Sequence, residues 1–158
     1  MVTLDDSFRD IITRSGLPLS QFAKATKTSP LQTLKWWSTE KNDLFISDKQ
    51  AAYFESHFAI PTDLILNDSS GLELLRKRIY GDITALPEKY EVAANSYVRS
   101  SYYITKYLRL LYGQEFVDKL LISLGVHPSY LNDLDKRISI HFVTDLLNKC
   151  RELGFSEQ

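Results

Sequence analysis

Residues 20–42 read "SQFAKATKTSPLQTLKWWSTEKN". Ser20 stands just before Phe22 and Ala23, so its hydroxyl can cap a short helix with those residues turned inward. A polar stretch follows. Ser29 and Pro30 then make a second start: a hydroxyl cap, and a proline at the first helical position, where a missing N–H costs nothing. Beyond it Leu31, Leu34 and Trp37 recur at helical spacing, which predicts a core-facing stripe on a helix that ends near Trp37. Two short helices around a tight polar break serve either to read a double helix or to fill a small core.

The flanks continue the helical pattern. "DDSFRDIITRSG" places Phe8, Ile11 and Ile12 between acidic caps and the stop signal Gly16. "ISDKQAAYFESHFAIP" predicts a further helix capped by Ser47 or Asp48, with Ala51, Phe54 and Phe58 inward, and Thr62 starts a short fifth turn ending near Leu66. "NDSSG", residues 67–71, is small and polar and is expected to be a linker. After it, Leu72, Leu75 and Ile79 mark one side of a helix, and the "RKR" of residues 76–78 reads as a solvated face. "SYVRSSYYITKYLRLLYG" predicts a longer helix with Tyr103, Tyr107, Leu110 and Leu111 among its apolar positions, stopped by Gly113. A cleaner amphipathic helix carries Phe116, Val117, Leu120, Leu121 and Leu124 up to Gly125, and Ser139 caps the last one. "RISIHF" is briefly extended, but no alternation lasts long enough to predict a sheet. The expected fold is all-α: a five-helix domain over residues 1–66, the linker, and a helical domain over residues 72–158.

Composition narrows the function classes. No apolar run approaches the roughly 20 residues that span a bilayer, and the acidic start "MVTLDDSFRD" lacks the features of a signal peptide. The single cysteine, Cys150, rules out an internal disulfide and fits a reducing compartment, so the expected location is cytoplasmic. His57, His127 and His141 fall on three different elements and share no metal-ligand spacing. With no phosphate loop, nucleophile elbow or paired carboxylates, no catalytic residue, metal or cofactor is expected, and the chain is not read as an enzyme. The formal charge is −1, so any contact with phosphates must come from local excess. Within residues 20–42, Lys24, Lys27, Lys35 and Lys41 face only Glu40. Tyr97, Tyr102, Tyr103, Tyr107 and Tyr112 crowd one region; an apolar ring with a polar tip suits a protein interface or an effector pocket, or a helix packed in its own domain.

"LSQFAKATKTSPLQTLKWW", followed by "ISDKQAAYFESHFAIPTDLIL", resembles the lambda-repressor-like (Cro/repressor) helix-turn-helix domain over residues 7–66. Leu19, Ser20, Gln21 and Ala23 fit that family's first motif helix, Ser29 stands where its recognition helix is capped, and residues 58–66 match its closing pattern. The sequence departs from the family at Lys27, where a glycine is usual in the turn, and at Thr28, where an apolar residue is usual. A lysine there must take a left-handed conformation or change the turn.

The resemblance implies double-stranded DNA as partner, with the third helix in the major groove. If Leu31, Leu34 and Trp37 face the core, Gln32, Thr33 and Lys35 point outward to base edges. Gln21, Lys24, Lys27 and Lys41 would then meet phosphates around the Ser29 cap. One such module buries little surface, so a homodimer on two half-sites is expected, with the second domain providing dimerisation or effector sensing. The C-terminal part is faintly similar to the segment that begins the effector domain of arabinose-regulator-type transcription factors, through Leu124, Gly125, Pro128, Leu131, Asp133, Asp135 and Arg137. Both likenesses imply a sequence-specific transcriptional regulator. The alternative is a helical adaptor that binds another protein through its tyrosine-rich surface and has lost the DNA surface.

Overall fold

Asp48 opens a helix because its carboxylate sits at the positive end of the helix dipole, and apolar residues follow at helical spacing. In the computed structural model this helix, α1, spans Asp48–Phe58 and buries Ala51, Phe54 and Phe58, as the sequence predicts. The structure describes residues 2–3, 23–24, 26–29, 31, 45–46, 48–61, 63–64, 69–92 and 94–154. The expected first helix, with Phe8, Ile11 and Ile12, lies outside the described residues. The chain divides into two units, Met1–Ala85 and Leu86–Gln158, and the described residues of both are predominantly helical.

In the first unit, strand β1 (Val2–Thr3) pairs antiparallel with β2 (Phe45–Ile46), Val2 opposite Ile46. Helix α1 ends at Ala59, whose φ of 55° puts a non-glycine residue in the left-handed region, and the chain continues through buried Ile60 and Pro61. Helix α2 (Ser69–Tyr80) turns Gly71, Leu74, Leu75 and Arg78 inward at helical spacing. A Cβ on Gly71 would stand 2.3 Å from the Leu64 carbonyl oxygen, so two backbones meet where only glycine fits.

The expected linker is therefore corrected. Residues 69–71 are the first turn of α2, α2 belongs to the N-terminal unit, and the division falls after Ala85. Gly71 lacks a side chain because of packing, not because of a hinge. Residues 67 and 68 lie outside the described residues.

Arg78 is not on a solvated face either. It is 2% exposed, and its guanidinium donates to the Phe58 and Ala59 carbonyls at 2.6 and 3.0 Å. Its Nε and other terminal nitrogen donate to the Ala85 carbonyl at 3.0 and 2.7 Å. The side chain thus satisfies carbonyls at the end of α1 that no helical N–H reaches, and ties α1, α2 and residue 85 together. Burial draws its pKa down to about 10, which leaves it charged at neutral pH.

In the second unit, Pro87 leads into the single turn α3 (Glu88–Glu91), strand β3 (Ser96–Tyr97) and helix α4 (Arg99–Tyr112). Gly113, at φ 89°, breaks the chain direction in one residue, and α5 (Gln114–Ser123) follows at once. A 3₁₀ turn (Pro128–Asn132), strand β4 (Arg137–Ile138) and helix α6 (Ile140–Glu152) complete the unit. Strands β3 and β4 pair antiparallel, Ser96 opposite Ile138. The extended "RI" of "RISIHF" thus has a partner; two-residue ladders are too short to leave an alternating pattern in sequence.

The core gathers Tyr90, Leu108, Val117, Leu120, Leu121, Phe142 and Leu146. Tyr90 sets its ring edge-on to Phe142, centroids 5.6 Å apart, and its hydroxyl donates to Asp145 at 2.6 Å. Burial, first, and that bond push the Tyr90 pKa well above the usual phenol range. Ser139 caps α6 as predicted, its Oγ accepting the His141 N–H at 3.2 Å. Cys150 is buried, and burial pushes its thiol pKa up, which suits a packing role.

Helix α4 buries small hydroxyl residues and exposes most of its large apolar ones. Its buried residues are Ser101, Thr105 and Leu108, whereas Tyr103, Tyr107 and Leu110 are 78%, 63% and 78% exposed. The small hydroxyl residues can turn inward because each is satisfied locally. Ser101 Oγ donates to the Val98 carbonyl, and Thr105 Oγ1 reaches the carbonyls of Ser101 and Tyr102. Spacing alone left open whether the large apolar residues of this helix pack in the unit or face outward; with Ser101 and Thr105 satisfied inside, Tyr103, Tyr107 and Leu110 face outward.

Candidate functional site

The break in residues 20–42 is built as a helix stop. Residues 23, 24 and 26 are helical, Thr28 and Ser29 are not, and the chain is helical again at Leu31. The Thr28 N–H donates to the Ala23 carbonyl at 2.9 Å, and the Lys27 N–H to the Lys24 carbonyl at 3.4 Å. These two bonds, six-to-one and five-to-two, are a Schellman stop, which requires a left-handed residue between them. Lys27 supplies it at φ 51°. Of the two ways a lysine could occupy this position, the chain takes the left-handed one.

Thr28 fills the place of the family's apolar residue without leaving a buried polar group unsatisfied. Thr26 and Thr28 are both buried, and their hydroxyl oxygens lie 3.0 Å apart within hydrogen-bond reach. Lys27 is exposed, and its Nζ lies 5.0 Å from the centre of the Tyr53 ring. The ring of His57 stacks on Tyr53 at 5.0 Å and 11° between planes. The turn is thereby tied to α1 through a cation over an aromatic face. Sequence reasoning missed Tyr53 and His57 as neighbours of the turn; their i, i+4 spacing on a helix was the available signal.

Lys24 and Ser29 are exposed, as contact with a phosphate backbone requires. Gln21, Gln32, Thr33, Lys35 and Lys41 lie outside the described residues. Leu31 is 65% exposed, so it does not belong to the core-facing stripe expected for it.

The five tyrosines part company. Tyr97 is held on β3 between Arg99 and Arg137, which lie 5.2 and 4.9 Å from its ring centre, and its hydroxyl accepts from Arg137 at 3.1 Å. Tyr103 and Tyr107 stand on the outward stripe of α4 with Leu110 and Leu111. Tyr112 is also exposed at the end of α4, its ring 5.0 Å from that of Phe116. Tyr102 faces elsewhere, into a cleft of about 600 Å³ in the second unit. The polar residues Arg109, Gln114, Asp118 and His127 share that cleft and were not among the sequence candidates. The spacing of Tyr102, Thr105 and Arg109 along α4 was the readable sign of a polar stripe.

Among the described residues, no group of three His, Cys, Asp or Glu is placed to hold a metal ion, and no helix is long and apolar enough to cross a membrane. No family model, curated protein or solved structure matches the chain.

Proposed function

We propose that the chain is a sequence-specific DNA-binding transcriptional regulator that acts as a homodimer. The observation that carries this reading is the Schellman stop at Lys27, with a helix resumed by Leu31. That geometry is what a helix-turn-helix needs between its supporting and its reading helix. In this reading Gln32 pairs with adenine, Thr33 with a base edge or thymine methyl, and Lys35 with guanine or phosphate. Exposed Leu31 adds an apolar contact suited to a thymine methyl. Gln21, Lys24, Lys27, Ser29 and Lys41 hold the phosphates and set the register.

The exposed stripe of Tyr103, Tyr107 and Leu110 supports dimerisation through the second unit, since a contiguous apolar helix face in water marks an interaction surface. The same stripe favours the second reading, a helical adaptor whose partner is another protein. Salt separates the two. Affinity for genomic duplex DNA should fall steeply between 50 and 200 mM salt and be lost in a Lys24/Lys27/Lys35→Ala variant. Absence of DNA binding at low salt, with retained self-association, would favour the adaptor. Leu110→Asp should convert a dimer to a monomer in sedimentation; an unchanged mass would reject α4 as the dimer face.

A further inference from the structure

The cleft of the second unit lies among α4, α5 and the 3₁₀ turn, and its buried lining is half apolar, Val98 and Leu131, and half hydroxyl, Ser101 and Thr105. Its polar groups are set out unevenly. Arg109 Nε is shut off from water and has no hydrogen-bond partner. Among the described residues no carboxylate pairs with this guanidinium, although Asp118 lines the same cleft. Asp118 instead accepts from the Gln114 side-chain amide at 2.6 Å. A buried donor on a charged group without an acceptor destabilises the unliganded fold. A chain that kept Arg109 only for packing would lose nothing by an uncharged side chain of the same length.

The remaining groups complete a pattern. Ser101 and Thr105 spend their hydroxyl protons on backbone carbonyls, so toward the cleft their oxygens can only accept. The Asp118 carboxylate is likewise an acceptor. His127 Nδ1 accepts the Ser129 N–H at 3.2 Å, which places the proton of the neutral ring on Nε2 and makes that nitrogen a donor. The cleft thus offers a guanidinium with no carboxylate partner, two hydroxyl oxygens and a carboxylate that accept, and one histidine N–H that donates.

We infer that this cleft binds a small polar molecule with one oxyanion, a carboxylate or a phosphate, and O–H or N–H donors on its remaining atoms. Arg109 takes the oxyanion, while Asp118, Ser101 and Thr105 accept from the donors. The volume, about 600 Å³, lies within the range of small-molecule sites. The site belongs to the second unit alone, so its failure would leave the DNA reading standing, and the reverse.

The test uses the full chain with three probes: glycerol 3-phosphate, gluconate and, as the neutral control, glucose. Thermal unfolding and calorimetric titration would be run with each. At least one anionic probe should bind saturably in the millimolar range or better and raise the unfolding temperature, while glucose should do neither. The glycerol 3-phosphate and gluconate arms tell phosphate from carboxylate. Arg109→Met should weaken that binding tenfold or more while leaving the unliganded unfolding temperature unchanged or higher. Asp118→Asn should weaken it less, with the fold intact. Lack of saturable binding by both anions, equal binding of glucose, or binding that survives Arg109→Met would overturn the inference. So would a marked loss of stability in unliganded Arg109→Met, which would make the arginine a structural strut.

Discussion

The two units stop a helix by the same hydrogen bonds but hold the Nε of an arginine in opposite ways. In the first, Thr28 and Lys27 close the helix onto Ala23 and Lys24; in the second, Val126 and Gly125 close it onto Leu121 and Ile122, at 3.0 and 2.8 Å. The left-handed residue is Lys27 at φ 51° in one and Gly125 at φ 74° in the other. A side chain with a Cβ is strained there by roughly 1 kcal/mol or more, and glycine is not. The second unit therefore uses the residue that stability favours. The first keeps a charged side chain at the very turn where a phosphate would lie in the proposed complex.

The arginines differ in the other sense. Arg78 makes four hydrogen bonds to three backbone carbonyls, whereas Arg109 has a buried Nε with none. A buried charge that saturates its neighbours holds a fold together; a buried donor that lacks an acceptor is the basis of the ligand site proposed for the cleft. Each unit thus carries one local choice that stability alone does not explain, at Lys27 and at Arg109.

The comparison can be broken by substitution. Arg78→Met should have the largest effect, about 3 kcal/mol or more, because carbonyls buried at the end of α1 lose their donor. Denaturant unfolding would measure it, and a loss under 1 kcal/mol would remove Arg78 from the scaffold. Gly71→Ala should lose about 1–3 kcal/mol despite alanine's better helix propensity, since the Cβ meets the Leu64 carbonyl. Gly125→Ala should lose about 1–2 kcal/mol from left-handed strain. Lys27→Gly should act with the opposite sign and the smallest magnitude, stabilising by up to ~1 kcal/mol after the contact with Tyr53 is discounted. The same variant should bind duplex DNA more weakly, and a gain in both properties would show that Lys27 has no role at phosphate.

Much of this architecture was legible in the residues. Ala51, Phe54 and Phe58, the stops at Gly113 and Gly125, and the Ser139 cap follow from spacing and turn chemistry and stand where expected. What failed had a physical reason in each case. Gly71 looked like a hinge because a missing side chain reads the same in a linker as in a close backbone contact. For Tyr103 and Tyr107 an interface and a helix packed in its own domain both stayed open, because spacing cannot show that Ser101 and Thr105 satisfy themselves and turn inward instead. Arg78 looked solvated because its acceptors, Phe58, Ala59 and Ala85, are brought to it only by tertiary structure. The cleft was hidden for that same reason: its lining comes from α4, α5 and the 3₁₀ turn, and neither Arg109 nor His127 forms a motif with its sequence neighbours.

Residues 20–42 carry the proposed function, and selection from a pool of random duplex DNA tests that role most directly. The full chain would be incubated with the pool at low and at physiological salt, beside the Lys24/Lys27/Lys35→Ala variant, and the retained duplexes sequenced. The account predicts salt-sensitive enrichment of a two-fold-symmetric sequence with half-sites about one helical turn apart, lost in the variant. Retention of no sequence above the starting pool, even at low salt, would contradict it.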